Sequence, residues 1–298
     1  MNRILFSICP VCDAKAIDDV LRVKDYTVSG EKFTIAECSS CRLRFTKDAP
    51  GAATIAPYYK SENYISHTDT AKGIVNRVYH LVRKTTLVQK RKLIEKATAI
   101  KSGNILDVGS GTGAFPNEMK KNGWKTTALE PEADARKLAW DLYNLELTDS
   151  TQLYQLPGDH FDAITLWHVL EHVHDVAGYV QQLKRVLKND GRIFIAVPNY
   201  TSIDATIYKE YWAAYDVPRH LYHFSPKALN ALVKQHGFTI AGHKPMWFDS
   251  FYVSMLSEQY KTGKNNLFDA FWNGLRSNIR TMNNVKRCSS VIYIIKKN

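Results

Sequence analysis

Nowhere in the 298 residues is there an apolar run approaching the roughly 20 side chains that a membrane-spanning helix requires, so no transmembrane segment is expected. The opening Met1-Asn2-Arg3-Ile4-Leu5-Phe6 is too short for a signal-peptide core and runs straight into a cysteine pair, which predicts a soluble, cytoplasmic chain. Internal repeats and low-complexity tracts are missing too. Cysteine is scarce: of five, four form the tight pairs Cys9/Cys12 and Cys38/Cys41, and Cys288 stands alone. Such pairing in a reducing compartment points to metal rather than to disulfides. Acidic residues are outnumbered 29 to 40, leaving +11, a balance that would suit a polyanionic partner. Its distribution weakens that reading. Residues 71–99 hold five Lys and three Arg against Glu95 alone, so one stretch supplies +7 of the excess. A solvated helix face explains such a run as well as nucleic acid, a phosphorylated substrate or a membrane surface does.

What is present suits one medium-sized core with an appendage, at 45% hydrophobic residues. Three parts are expected: a cysteine module of short strands over 1–50, a connector and basic helix over 51–100, and one α/β domain over 101–298. Apolar positions at Ile74, Val78, Leu81, Val82, Leu87, Leu93 and Ile94 recur at roughly helical period. From about residue 103, strand and helix alternate, as in a parallel sheet with crossover helices. The strands are predicted at 104–108, 124–129, 161–167, 192–197, about 238–242 and 290–295. Helices fall between them, one capped by Asp175 and one opened by Ser225-Pro226. Residues 244–286, rich in Trp and Phe, are expected to form two helices that either cover a sheet edge or wall a substrate pocket.

The most informative segment is Ile105-Leu106-Asp107-Val108-Gly109-Ser110-Gly111-Thr112-Gly113-Ala114-Phe115, a strand running into a glycine-rich turn that opens a helix. Glycine is needed where a Cβ would block a ligand's approach to the backbone or where φ is positive. With Ala114 and Glu130, the segment also fits a dinucleotide fingerprint. Asp107 argues against that ligand. A carboxylate at the strand's end would repel a diphosphate, whereas the ammonium and sulfonium of S-adenosylmethionine (SAM) would be attracted. Glu130 suits either ligand, since both carry a ribose diol.

The run Asp107 to Gly113 resembles the first motif of class I SAM-dependent methyltransferases, and Glu130 matches their second acidic motif. Phe161-Asp162-Ala163-Ile164-Thr165-Leu166-Trp167-His168-Val169-Leu170-Glu171-His172-Val173 is similar to their fourth-strand motif, and Gly191-Arg192-Ile193-Phe194-Ile195-Ala196-Val197-Pro198-Asn199 to their fifth. The likeness covers about residues 100–243. It implies an α/β fold with a seven-stranded Rossmann-like sheet, ordered 3-2-1-4-5-7-6 with the last strand antiparallel, helices on both faces and the small zinc-binding β module in front. It also implies SAM as cofactor. Gly109, Ser110, Gly111, Thr112 and Gly113 would then approach the cofactor, Asp107 support its methionine end and Glu130 hold its ribose. Asp149 would lie beside adenine, and Trp167 and His168 would line the methionine side.

Holding nucleophile and methyl group in line is the main task of such an enzyme; a base is needed only where the acceptor must lose a proton. Two histidine clusters are candidates. His168, Glu171, His172 and His174 would put two imidazoles on one face if helical, like a metal pair, but the Leu-Glu-His-Val pattern also recurs in the resembled superfamily, where it shapes the cofactor pocket. Asp216-Val217-Pro218-Arg219-His220-Leu221-Tyr222-His223-Phe224 follows the fifth strand, where open α/β sheets build their crevice. His220 and His223, with Tyr222, are the candidate catalytic residues, either as acid–base groups or as structural hydrogen-bonders. Similar segments occur in methyltransferases of sugar and polysaccharide biosynthesis, some of which carry an N-terminal zinc module.

Cys9, Cys12, Cys38 and Cys41 could complete a tetrahedral site for a structural Zn2+, resembling a zinc ribbon. The expected function is methyl transfer to a small-molecule acceptor such as a sugar or nucleotide-sugar. The alternative is an rRNA or tRNA methyltransferase using the zinc module and basic segment to hold RNA. The Asn-Pro-Pro-aromatic signature of amino-methylating nucleic-acid enzymes is absent, with Leu166-Trp167-His168 in its place, which favours the small molecule.

Overall fold

Segments that are apolar on both sides of the chain become central strands, because helices must cover both faces of a parallel sheet. In the computed structural model, which describes residues 3–60, 74–264 and 266–298, ten strands are seen. They are β1 (Ile17–Lys24), β2 (Lys32–Cys38), β3 (Arg44–Lys47), β4 (Asn104–Val108), β5 (Lys125–Leu129), β6 (Phe161–Trp167), β7 (Leu187–Pro198), β8 (Tyr222–His223), β9 (Phe238–Pro245) and β10 (Ser290–Lys297). Eight α-helices accompany them: α1 (Ile74–Thr98), α2 (Ala114–Lys121), α3 (Ala133–Tyr143), α4 (Val176–Val186), α5 (Ile203–Tyr208), α6 (Pro226–Gln235), α7 (Asp249–Thr262) and α8 (Leu267–Asn283). Residues 61–73, with most of the expected connector and Lys72 of the basic run, lie outside the described residues.

The main sheet is mixed, with order β5-β4-β6-β7-β10-β9. Strands β4, β5, β6 and β7 pair in parallel, and β10 runs antiparallel to β7 and β9. Six strands therefore replace the seven expected. The missing edge strand is Leu145–Thr148, which touches β5 through a single bridge, Leu129 to Thr148. Leu145 and Leu147 turn instead onto Ala128 and Ala139 as filling for the edge, so the ladder is not extended.

Period-two alternation divides the sheet's faces. Ile105, Ala163 and Phe194 face α1, whose Leu87, Leu93 and Ile94 pack on them. Leu106, Ile164, Ile193 and Ile195 face the opposite way, against Val180, Leu183 and Val186 of α4 and Leu229, Leu232 and Val233 of α6. Asp175 caps α4 by accepting from Gly178 N–H at 2.9 Å, and Ser225 caps α6 through Ala228 N–H at 3.1 Å.

The cysteine module contributes a second sheet, β1-β2-β3-β8, all antiparallel. Its last strand comes from the other half of the chain: Arg44 pairs with His223 and Phe45 with Tyr222. Val23, Phe33 and Ile35 of this sheet share a core with Tyr208, Trp212, Tyr215 and Val217. Arg219, fully buried, ties the halves further, donating to Asp25 at 3.0 Å, Asp216 at 2.6 Å and the Tyr58 carbonyl at 2.8 Å.

The expected helix pair at 244–286 is α7 and α8; Tyr260 of α7 packs against the core shared with β1 and β2, but the aromatics of α8 lie outward. Ala270, Gly274, Ser277 and Thr281 face inward, while Phe268 and Phe271 are 70% and 54% exposed. Small residues on the inner side let α7 approach closely; a Cβ on Gly274 would meet Phe251 at 2.7 Å. None of the described helices is long and apolar enough to cross a membrane.

Candidate functional site

The glycine loop leaves β4 through three left-handed residues, Gly109 (φ 68°), Gly111 (φ 53°) and Gly113 (φ 78°). A Cβ on Gly109 would strike Val169, whereas Gly111 looks into open space with no atom within 4 Å. The loop is pinned from behind: the Gly109 and Ser110 amides donate to the Leu129 carbonyl at 2.8 and 3.0 Å, and Ser110 Oγ donates to the Asp107 carbonyl at 3.0 Å. Thr112 Oγ1 accepts from Arg83 at 3.2 Å.

Two carboxylates flank this loop. Asp107 is buried, and Thr165 Oγ1 donates to it at 2.5 Å; burial pushes its pKa up to about 6, against the pull of Thr165, Ser110 and Lys90. Glu130, at the end of β5, accepts from the Gly111 amide at 2.7 Å and from the Glu132 amide at 3.1 Å, and burial raises its pKa as well. Asp149 lies further along the same edge. Its carboxylate caps its own turn, accepting from the Thr151 amide at 2.9 Å, and stands 3.4 Å from Arg136.

Beyond β6, Trp167 and His168 meet two residues that sequence reasoning missed. Lys90 of α1 places its Nζ 4.1 Å from the centre of the Trp167 ring. Burial lowers its pKa to about 8, although Asp249 and Asp107 pull the other way. Asp249, the first residue of α7, stands 3.0 Å from His168 Nε2, and Glu171 stands 3.4 Å from His168 Nδ1. Burial opposes a charge on His168, but these two carboxylates outweigh it and raise its pKa to about 10. A cleft of about 290 Å³ opens beside Lys90, between α1 and residues 244–249. The only sequence signal for Lys90 was its place in the basic run; Asp249 gave none.

One part of each histidine cluster meets the other: Glu171 and His172 of the first, and His220 of the second. His168 has φ 58° and Leu170–His172 form a single 3-10 turn, so His168 and His172 do not share a helix face and do not form a pair. His172 lies instead against His220, ring centres 4.6 Å apart at 78°. One donor atom each from Glu171, His172 and His220 lie within 4.8 Å of one another. His220 Nδ1 is 2.9 Å from the Ala214 carbonyl, and His172 Nδ1 is 3.1 Å from the Arg219 carbonyl and from Tyr59 Oη. Burial, then His220, lowers the pKa of His172 to about 4.

The other candidates at this end have structural partners. Tyr222 is buried and donates to the His174 carbonyl at 2.9 Å. His223 is buried in the β3–β8 pair, 3.2 Å from Thr46 Oγ1, and burial takes its pKa well below the usual range. His174 Nε2 rests 3.3 Å from the Pro50 carbonyl.

The four cysteines do converge. Cys9 and Cys41 sulfurs are 3.5 Å apart and Cys12 and Cys38 sulfurs 3.6 Å, with all four inside 4.8 Å. These separations are far beyond a disulfide bond and close to the roughly 3.8 Å between sulfurs held tetrahedrally at about 2.3 Å from a zinc ion. Cys288 is buried away from them, its Sγ 3.7 Å from the Met246 carbonyl.

A family profile described as "Methyltransferase domain" matches residues 82–242, just over half of the chain. The chain is similar to the ubiquinone biosynthesis O-methyltransferase of Actinobacillus pleuropneumoniae serotype 7 (strain AP76), 33% identical over 118 residues, 36% of this chain and 50% of that protein. Its namesake from Sodalis glossinidius (strain morsitans) is 32% identical over 115 residues, 36% of this chain and 46% of that one. The chain thus spans about half the length of the curated relatives it matches. Among solved structures, the magnesium protoporphyrin IX methyltransferase of Synechocystis PCC 6803 with bound SAH shares the fold, with a TM-score of 0.53 at 12% identity over 81% of this chain and 97% of that one.

Proposed function

We propose, from the premise that this chain belongs to the methyltransferase-domain family, that it transfers a methyl group from SAM to a small-molecule acceptor. The pairing of Asp107 with Glu130 around the glycine loop carries the choice of cofactor. Glu130 takes the Gly111 amide that a diphosphate would need, and Asp107 adds a second buried carboxylate below it. A diphosphate would meet the negative charge of Asp107 there; SAM would offer its ammonium to Asp107 and its ribose hydroxyls to Glu130, which suits the ribose of either ligand. In this reading Gly109, Ser110, Gly111, Thr112 and Gly113 hold the cofactor, with Asp149 beside adenine and Trp167, His168 and Lys90 at the methionine end. SAM would supply an activated methyl group on a good leaving group. The protein's part is alignment, which can contribute roughly 7–11 kcal/mol.

The acceptor end is assigned to Glu171, His172 and His220. The hydrogen bonds of His172 and His220 run through Nδ1, and the carboxylate nearest His220 Nε2 is Asp216, 3.9 Å away. Tyr222 and His223 act by holding β8 in place. A polar wall of this kind suits a polyhydroxyl acceptor such as a sugar or nucleotide-sugar, and the names of the curated relatives favour an oxygen atom as the site of methylation. RNA is less favoured: Lys90 sits over Trp167, Arg91 is paired with Glu95 and Glu118, and Arg83 reaches Thr112, so the basic run spends much of its charge inward.

The four cysteines are assigned to a structural Zn2+, which their spacing fits. The deciding experiment is incubation with methyl-labelled SAM and fractionated metabolites and RNA, followed by mass spectrometry of the product. Label in RNA, or calorimetric binding of NADH in preference to SAM, would overturn the reading. Substituting His220 by Ala should lower turnover with little change in SAM affinity.

A further inference from the structure

Glu171 is fully buried, and neither of its carboxylate oxygens has a hydrogen-bond partner among the described residues. Its nearest charged neighbour is the His168 ring at 3.4 Å, which is already engaged by Asp249 at 3.0 Å. A carboxylate in a dry interior costs several kcal/mol unless it is compensated, and His168, shared with Asp249, compensates this one only in part. The histidines beside it are arranged to help. The Nδ1 atoms of His172 and His220 both face backbone carbonyls, of Arg219 and Ala214. A carbonyl only accepts, so Nδ1–H of His220 donates to Ala214, and Nδ1–H of His172, which also lies 3.1 Å from Tyr59 Oη, can donate to Arg219 in the same way; a neutral ring held so keeps the lone pair of its Nε2. One ring nitrogen from each histidine and one carboxylate oxygen of Glu171 lie within 4.8 Å of one another, close enough for a single ion to draw together. Imidazoles tied by one nitrogen to a carbonyl are also what metal-binding histidines require from their surroundings.

We infer that Glu171, His172 and His220 bind a divalent first-row transition-metal ion by two nitrogens and one carboxylate, leaving positions open toward the acceptor. This donor set suits Mn2+, Fe2+, Co2+ or Zn2+ better than Mg2+ or Ca2+, which prefer oxygen throughout. The site is separate from the four cysteines, whose thiolates select softer ions. Resting on the proposed methyl transfer, it also deepens that reading. The ion holds the acceptor hydroxyl and lowers its pKa, the hydroxyl proton passes to water, and the oxygen forms its bond to the methyl carbon as the carbon–sulfur bond breaks and the neutral thioether leaves. His220 then acts as a ligand rather than as a proton acceptor.

The test uses Mn2+ with the full chain, its cysteine site filled with zinc, and reads bound Mn2+ by electron paramagnetic resonance and calorimetry without any acceptor present. Wild-type protein should bind one Mn2+ and gain thermal stability from it. Glu171→Gln and His220→Ala should weaken binding by more than about tenfold and lose the thermal shift. Glu171→Gln keeps the side chain's shape while removing its charge, and His168 retains Asp249 as a partner, so melting without metal checks that the variant folds. Absence of Mn2+ binding by the wild type, or unchanged binding by both variants, would overturn the site. SAM affinity measured on the same samples keeps the two ideas apart: metal binding without SAM binding would sink the methyltransferase reading and leave the metal site standing.

Discussion

Thr165 Oγ1 donates to Asp107 Oδ1 at 2.5 Å, so the carboxylate at the end of β4 is held by a neutral hydroxyl, while Lys90 acts on it only through space. Burial leaves its pKa near 6. A cationic ligand binds the ionised form, so protonation must compete with binding. SAM affinity should therefore be flat above pH 7 and fall as pH drops below about 6, approaching tenfold per pH unit. Asp107→Asn should bind SAM roughly ten- to a hundredfold more weakly, from a lost charge-assisted contact of about 1.5–3 kcal/mol, with no pH dependence in this range. Calorimetry from pH 5 to 8 decides it; an undiminished slope in the variant would refute the assignment.

Arg219 joins the two halves of the molecule. Its guanidinium is buried between Asp25 and Asp216, and Asp25 is itself 1% exposed. Truncation would leave Asp25 without its cation, though the Ser29 amide and hydroxyl still donate to it at 2.8 Å each. Arg219→Met should cost about 3 kcal/mol, the low end for breaking a buried pair. Urea unfolding of wild type and variant measures this directly, and a loss below about 1 kcal/mol would show that the pair is not holding the halves together.

What could be read from the sequence was local. The β4 strand, its glycine loop and Glu130 lie within 30 residues, and each follows from hydrophobic runs, turn chemistry and charge. The caps at Asp175 and Ser225 are equally short-range. By contrast, His172 and His220 lie 48 residues apart, and Asp249 lies 81 residues from His168. No periodicity links such positions; only the order of strands brings them together. Lys90 was hidden by its neighbours, since a lysine packed on Trp167 and one in solvent look alike in a basic run. The expected seventh strand failed for a packing reason, because Leu145 and Leu147 fill the sheet's edge more effectively than they extend its ladder.

Because β8 closes the cysteine module's sheet, loss of the zinc proposed there should be felt outside the module. Chelation, or Cys38→Ser, should release amide protection in β1, β2 and β3 and also at Tyr222 and His223. Strand β10, which pairs only within the main sheet, should keep its protection. Hydrogen exchange followed by mass spectrometry would show the pattern. Protection unchanged by chelation would mean that the four thiols hold the module without metal.

His168 links β6 to the start of α7, and its charge depends on Asp249 and Glu171. Its folded pKa, near 10, lies above the usual 6.5, so its contribution to stability is complete below about pH 6.5 and disappears as pH rises through 10. Asp249→Asn removes the closer carboxylate. The cost should be about 1 kcal/mol near pH 6.5, modest because the His168 side chain is a third exposed and its ion pair is partly screened. Toward pH 10 the imidazole of the wild type becomes neutral, and the gap between the two proteins should close. Melting temperatures measured from pH 6.5 to 10 give the sign: converging curves fit a protonated His168 at neutral pH, and parallel curves would mean that it is neutral already and that Asp249 serves only as a hydrogen-bond acceptor.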